Sequence, residues 1–334
     1  MTRNRKITLA AVAIALYLIG VPWLCAGRNY YLGVVTTASG LAVICAGVWL
    51  IFYIGRINIG QGAFALIGGY AAAIAVTKWG LSFWIAMPFA GLASMLVGML
   101  IGLPLLRLKG VYFSMITLSL TETARLAAQS LKAVTNGPNG ILNIPLPGEL
   151  SIFGVTVIPD FATLNKHRAL FYLGAVLLVV TYAVIHRVVN SRLGWLFRSL
   201  QQNEDLASSF GVNVPMLRVI AFAICTFFAG VGGAFFVVMQ QSIYPATFAV
   251  QDSTYFLLYC FIGGLGFVFG PLVGTFILYM GFEVLQGFKE YQPLLYALLM
   301  IGVMLWLPNG LLSIRLPKFL PPKTPSRPAS GGDI

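Results

Sequence analysis

Long runs of apolar residues, separated by short polar links, follow one another along almost the whole chain. A helix that crosses a bilayer needs about 20 mostly apolar residues, and most of these runs approach that length. The pattern therefore predicts an all-α, polytopic membrane protein with about ten transmembrane helices. The predicted segments lie near residues 7–24, 32–54, 61–77, 81–106, 110–130, 169–188, 216–240, 253–266, 269–286 and 292–308.

Glycines are concentrated in the stretches 60–69, 230–233 and 263–270. Glycine-rich stretches in membrane helices most often indicate close contacts between helices. Broken or re-entrant helices lining a central cavity are the alternative for 60–69 and 263–270, because a glycine-interrupted segment in each half of the chain is typical of transporters built from internal repeats.

Composition argues against a soluble protein and against an enzyme. Of the 334 residues, 59% are hydrophobic and 9% are charged, so little chain remains for a soluble catalytic domain. The four cysteines lack the paired spacing of a zinc or redox site, and His167 and His186 stand alone near predicted membrane boundaries. We expect no metal, no cofactor and no catalytic residue, and the nine dispersed acidic residues disfavour a membrane-embedded transferase.

The basic residues predict the orientation in the membrane. The chain has 21 Lys and Arg against nine acids, and ten spans with an internal N-terminus place two thirds of the basic residues inside. The basic residues assigned to the inner side are Arg3, Arg5, Lys6, Arg56, Arg107, Lys109, Arg187, Arg192, Arg198, Arg218, Arg315, Lys318, Lys323 and Arg327. A secretory signal peptide over residues 1–27 is the competing interpretation, but the long apolar run favours a retained anchor.

This orientation divides the chain into a transmembrane domain, residues 1–315, and a basic, proline-rich and disordered cytoplasmic tail, residues 316–334. Residues 131–168 form a predicted external loop with two turn-forming motifs, and residues 189–215 form the main cytoplasmic loop.

Residues 203–211 within the cytoplasmic loop have the pattern of a helix of two turns. Asn203 is a suitable N-cap, acidic residues follow it in the first turn, and Gly211 can end the helix. Leu206 and Phe210 share one face. So short a helix needs a surface to rest on, which is either a partner protein or the chain's own membrane domain.

The sequence here resembles the coupling-loop block of LivM-type permeases, the membrane subunits of branched-chain amino acid importers of the ATP-binding cassette (ABC) class. The resemblance covers about residues 30–312 and rests on blocks in the family's order. These blocks are Gly60-Gln61-Gly62-Ala63-Phe64, Arg107-Leu108-Lys109-Gly110-Val111-Tyr112-Phe113, Thr135-Asn136-Gly137-Pro138-Asn139-Gly140, Gln202-Asn203-Glu204 through Gly211-Val212-Asn213, Ala229-Gly230-Val231-Gly232-Gly233-Ala234 and Gly263-Gly264-Leu265-Gly266.

The resemblance implies an alternating-access permease for hydrophobic amino acids that hydrolyses no ATP itself. It also implies three kinds of partner: cytoplasmic ATPase subunits, a second permease of the LivH type and an external substrate-binding protein. The ATPase-coupling residues it assigns are Asn203, Glu204, Leu206, Ala207, Phe210 and Gly211. The chain has no Gly-rich phosphate loop of the Gly-Lys-Ser/Thr type, in agreement with ATP hydrolysis on another chain.

Glu122 and Arg125 interrupt an otherwise apolar segment at one-turn spacing. A charge near the centre of a span costs about 2.5–3.5 kcal/mol, so we expect the pair to face the bundle or an aqueous path. Mutual neutralisation at a helix end is the alternative to a role in transport. The candidate pathway residues are Gln61, Tyr70, Tyr112, Ser114, Thr117, Thr121, Glu122 and Arg125.

Two other functions remain open. The shared blocks concern coupling and architecture, so a permease for urea or another small solute is a possibility within the same family. An ion-coupled secondary transporter is a second class, but it requires ionisable residues deep in several spans, and this chain has few.

Overall fold

The structure is a computed structural model that describes residues 3–25, 27–108, 110–152, 155–161 and 165–285, together with residues 291, 294, 295, 297, 298, 301, 302, 305 and 310–313. The α-helices within these ranges are α1 (Arg3–Leu24), α2 (Asn29–Phe52), α3 (Gln61–Thr77), α4 (Phe83–Leu105), α5 (Val111–Ser130), α6 (Lys132–Thr135), α7 (Lys166–Val189), α8 (Arg192–Gln202), α9 (Glu204–Ser209), α10 (Val214–Gln240), α11 (Val250–Gly263) and α12 (Gly270–Leu285).

The predicted all-α, polytopic fold is confirmed. Among the described residues, α2, α4, α7 and α10 are long and apolar enough to cross a membrane, and α3 is a shorter apolar helix. The tenth predicted segment, 292–308, and the tail, 316–334, lie largely or wholly outside the described residues. The number of spans therefore stays a prediction.

The two glycine-rich segments of the prediction differ in structure. The stretch 60–69 is not broken, because α3 continues through Gly68 and Gly69. A break is present in the stretch 263–270, where α11 ends at Gly263 and α12 begins at Gly270. These two helices have 14 and 16 residues, which is short of the roughly 20 needed for a full span.

The core is centred on α10, which packs against α2, α3 and α4. Small residues allow the α3 and α10 backbones to touch. A Cβ atom on Gly68 would overlap the backbone of Gly230, and one on Gly233 would overlap the carbonyl of Ala65. The prediction of close helix contacts at these glycines is confirmed, in agreement with the packing of small residues between membrane helices.

Three basic residues mark the two ends of the helix bundle, and which end faces the cytoplasm stays a prediction. At the end that carries α9, here called the inner end, Arg218 Nη1 donates a hydrogen bond to the carbonyl of Leu106 at 3.0 Å. At the opposite, outer end, Lys78 Nζ donates to the carbonyl of Val134 at 2.7 Å, and Lys166 Nζ donates to Gln241 Oε1 at 2.5 Å. Basic residues predicted to lie on opposite sides of the membrane thus lie at opposite ends.

The two predicted loops contain secondary structure. The external loop holds a small antiparallel hairpin of β1 (Leu150–Ile152) and β2 (Val155–Ile158), and Ile141 in this loop forms a β-bridge with Ile243 at the end of α10. The cytoplasmic loop contains α8, which was not predicted. Its buried residues Gly194, Phe197 and Leu200 follow helical spacing, so the periodicity carried a signal for this helix.

Candidate functional site

The short helix α9 is built as its sequence pattern predicts. Asn203 is the N-cap, and its Oδ1 accepts a hydrogen bond from the Leu206 N–H at 3.0 Å. Gly211 follows the helix with a φ of +80°, a left-handed conformation that favours glycine. Helical residues run from Glu204 to Ser209, within the predicted range 203–211.

The two faces of α9 have different surroundings. Ala207 is buried against the membrane domain, whereas the side chains of Leu206 and of Phe210, the residue directly after the helix, are 57% and 80% exposed. The helix therefore rests on its own chain and still presents two large apolar side chains outward. The two interpretations of the sequence pattern, packing on the chain itself and contact with a partner, are compatible in this geometry.

Glu204 anchors α9 through two buried arginines. Glu204 Oε1 lies 3.2 Å from Arg56 Nη2, and Glu204 Oε2 forms an ion pair with Arg218 Nη2. We call these three residues the Glu204 clamp. Arg56 lies in the link between α2 and α3, and Arg218 lies in the first turns of α10, so one carboxylate connects α9 to two other elements.

The arginines of the Glu204 clamp also bind the inner end of α4. Arg56 Nη1 donates to the carbonyl of Leu108, and Arg218 Nη1 donates to the carbonyl of Leu106. Both carbonyls follow the last turn of α4, where they have no partner within the helix. The clamp thus joins α9, the α2–α3 link, α10 and the end of α4 in one polar network.

The electrostatics of the clamp depend on Glu204. Burial lowers the pKa of the Arg56 guanidinium from its ordinary value, the charge of Arg218 lowers this pKa further, and Glu204 opposes both effects. Two buried like charges need an anion between them. Sequence reasoning assigned Glu204 to ATPase coupling and missed both arginines as its partners, because neither is adjacent to Glu204 in sequence.

Four of the eight predicted pathway residues, Gln61, Tyr70, Thr117 and Thr121, are buried in the interior of this chain. Gln61 Nε2 donates to the carbonyls of Ile44 and Cys225, both at 3.2 Å. These bonds join the start of α3 to α2 and α10.

The two buried threonines hold the same end of α3. Thr117 Oγ1 accepts the Ile59 N–H at 3.2 Å, and Thr121 Oγ1 lies 3.3 Å from Ser253 Oγ. Ser253 Oγ in turn accepts the Gly62 N–H at 2.9 Å, which gives a partner to a first-turn amide of α3. Sequence reasoning did not single out Ser253. Ser253 belongs to no residue pattern that indicates a contact between α11 and α3.

The other four predicted pathway residues lie toward the surface on α5. Tyr112 is 73% exposed, and Ser114 is half-buried, with its Oγ donating to the carbonyl of Ile57 at 2.8 Å. Arg125 Nε donates to Glu122 Oε1 and Oε2 at 3.1 and 3.0 Å, so the two charges form a bidentate pair. The structure does not bring the eight residues together in one site, and their contact with cargo stays a prediction.

The outward face of α5 is mixed in polarity. Val111 and Met115 are exposed on it, and so are Ser119 and Thr123. The Glu122–Arg125 pair is only partly covered by this chain. Hydrocarbon is a poor environment for hydroxyls and charges, so this face suits water or another protein better than lipid.

The helices, the close packing of α3 on α10 and the basic inner end define a polytopic all-α membrane protein. Residues 30–307 match the family model described as "Branched-chain amino acid transport system / permease component". The chain belongs to this family, and the prediction of a LivM-type permease is confirmed.

Curated relatives agree with the family assignment. The chain is 33% identical over 283 residues to the high-affinity branched-chain amino acid transport system permease protein LivM of Salmonella typhimurium, and 33% identical over 280 residues to that of Escherichia coli. Each match covers 79% of this chain and 65% of the relative.

A more distant match is the probable branched-chain amino acid transport permease protein LivH of Methanocaldococcus jannaschii, 22% identical over 84% of this chain and 91% of that protein. No solved structure matches the chain.

Proposed function

We propose that this chain is a non-catalytic permease subunit of an ATP-driven ABC importer in a bacterial cytoplasmic membrane. It moves branched-chain and other hydrophobic amino acids inward by alternating access. Its proposed partners are cytoplasmic ATPase subunits, a LivH-type permease and an external substrate-binding protein. Family membership supports the class, and the observation that carries the mechanism is α9, with two exposed apolar side chains on a helix anchored by Glu204.

In this proposal, α9 is the contact through which the ATPase acts on the membrane domain. Leu206 and Phe210 bind a groove of the ATPase. The ion pairs of Glu204 transmit the resulting movement of α9 to the membrane domain. The Glu204 clamp reaches the α2–α3 link, α10 and the end of α4, so motion of α9 pulls on all of them. Since α10 packs on α2, α3 and α4, a shift at its inner end spreads through the core.

The free energy needed to shift the transporter between two states indicates how many contacts α9 must make with the ATPase. A shift from 1:99 to 99:1 between two states requires about 5.5 kcal/mol of differential binding. Complete burial of Leu206 and Phe210 provides about 1.5–3 kcal/mol each. Two side chains therefore approach the requirement only when fully buried in one state and exposed in the other, so further contacts from the loop 189–215 are part of the proposal.

The translocation pathway is proposed to run along the outward face of α5, between this chain and its partner permease. Tyr112, Glu122 and Arg125 lie on this face and are the candidates for contact with cargo or water. The buried residues Gln61 and Thr117 are proposed to contribute by fixing the start of α3 beside the pathway.

The test of this function is uptake by the complete assembly. Proteoliposomes containing this chain, its partner permease and ATPases, with the binding protein outside, are supplied with internal ATP and radiolabelled leucine. We expect ATP-dependent uptake that unlabelled isoleucine and valine reduce and urea does not. Uptake of urea without uptake of leucine would show that the proposed cargo is wrong, whereas the class of transporter would still be correct.

A further inference from the structure

A cavity of about 260 Å³ lies between α2, α10, α11 and α12. It is smaller than the roughly 300–1,000 Å³ typical of sites for drug-sized ligands, so it suits a small solute. Its lining combines a single carboxylate, Asp252, with aromatic rings of α11 and α12 that include Tyr255, Tyr259, Tyr279 and Phe282. The assigned coupling and pathway residues do not line it.

Asp252 is a half-buried carboxylate in the first turn of α11. Its Oδ2 accepts the Ala249 N–H at 2.9 Å, a cap on the first turn of α11. Among the described residues, no Lys, Arg or His lies within ion-pair distance of it. A half-buried carboxylate in a membrane domain without a positive partner is costly, and a bound cation would remove that cost.

The aromatic walls narrow the chemical class of that cation. Rings attract a positive charge placed over their faces, and ammonium groups beside aromatic side chains are a recurrent case of this interaction. The same rings favour an apolar body attached to the charge. A carboxylate surrounded by such rings therefore matches an organic ammonium ion better than a strongly hydrated metal ion.

A second cavity provides access from the outer end. Its volume is about 430 Å³, and it is lined by Asn29, Tyr30 and Glu283 near the outer ends of α2 and α12. Thr37 and Tyr279 line both cavities, so the two adjoin. A solute that arrives from outside would reach Asp252 by passing these two residues.

We propose that the Asp252 cavity binds the primary ammonium group of a small apolar solute that enters from the outer end. Asp252 accepts the ammonium group, and the rings of Tyr259 and Tyr279 cover it. The identification of this solute as a branched-chain amino acid rests on the proposed function. The binding of an ammonium group at Asp252 does not depend on the proposed function.

The test uses two probes of matched shape, isobutylamine and isovalerate, titrated calorimetrically into the purified assembly in phosphatidylglycerol nanodiscs. We expect isobutylamine to bind and isovalerate not to bind. Asp252→Asn keeps an oxygen for the Ala249 N–H and removes the charge, so it should weaken isobutylamine binding about tenfold or more. Asp252→Glu should retain most of the affinity.

The matched control is Glu149→Gln, which removes an exposed carboxylate from the external loop and should leave isobutylamine affinity unchanged. Equal affinities of the wild type and Asp252→Asn would overturn the proposal, and so would binding of isovalerate as tight as that of isobutylamine. Loss of isobutylamine binding when phosphatidylethanolamine replaces part of the lipid would also overturn it, because a lipid headgroup would then be the occupant.

The outcomes separate this site from the proposed function. If the assembly imports leucine and Asp252→Asn binds isobutylamine normally, the ammonium site fails and the importer stands. If isobutylamine binds through Asp252 and the assembly imports no leucine, the site stands and the choice of cargo fails.

Discussion

Glu204 Oε1 lies 3.2 Å from Arg56 Nη2, although 148 positions separate these residues in the sequence. Arg56 is almost completely buried, and Glu204 belongs to a helix of only six residues. The contact ties α9, which carries the exposed Leu206 side chain, to the link between α2 and α3.

Replacement of Glu204 by Gln should destabilise the protein and uncouple transport from ATP hydrolysis. The substitution leaves Arg56 and Arg218 as two buried charges without an anion, which costs about 1.5–3 kcal/mol. Thermal unfolding in detergent and leucine uptake per ATP hydrolysed are the measurements. Asp205→Asn, which neutralises the exposed neighbouring acid, is the control and should change neither. Unchanged stability and coupling in Glu204→Gln would contradict the role of the clamp.

Replacement of both Leu206 and Phe210 by Ser should separate the ATPase from the permease and leave the permease fold intact. These side chains are exposed, so their loss removes contact area with a partner and not core packing. Co-purification of a tagged ATPase measures the effect. Leu142→Ser, an exposed leucine of the external loop, is the matched control. Full recovery of the ATPase with the double variant would rule out α9 as the docking element.

Replacement of Glu122 by Gln should lower leucine uptake at normal membrane abundance if the α5 face lines the pathway. The bidentate pair would lose its negative member and leave Arg125 facing the path alone. Uptake and quantitative immunoblotting are measured together.

A variant with both positions exchanged, Glu122→Arg with Arg125→Glu, distinguishes pathway from anchor. It preserves an ion pair and reverses the local field. Restored uptake in the exchanged variant, or a loss of abundance alone in Glu122→Gln, would indicate that the pair only neutralises itself at a helix end.

Replacement of Gly68 by Ala should reduce stability by about 1–3 kcal/mol, because a methyl group there overlaps the Gly230 backbone and forces α3 away from α10. Gly281→Ala in α12 is a suitable control, since a Cβ atom at that glycine meets no atom within 4 Å. Thermal unfolding of both variants in detergent is the measurement. Equal unfolding temperatures would show that the two backbones do not meet as described.

The sequence best predicted those helices whose signals lie within one continuous stretch of the chain. The lengths of the apolar runs predicted the long helices within a few residues, and the Asn203 cap and Gly211 predicted α9. The helices predicted from apolar runs are α1, α2, α3, α4, α5, α7, α10, α11 and α12. The helix α8 was missed because its buried face has only three residues spread over a polar loop, although their spacing was helical.

Pairings between distant residues could not be predicted in the same way. Nothing near Arg56 or Arg218 in sequence indicates that one carboxylate binds both. Gln61, Thr117 and Thr121 illustrate the same limit, because a polar side chain in a membrane helix can bind cargo or another helix. Their type and spacing fit both roles, and only the fold shows which backbone groups they contact.

In the proposed assembly, this chain supplies a pathway and a separate ATPase supplies the energy through α9. Vesicles containing the purified chain alone, with sodium or proton gradients imposed, test it directly when compared with vesicles containing the complete assembly and ATP. We predict leucine accumulation only in the second preparation. Gradient-driven accumulation by the chain alone would contradict the account.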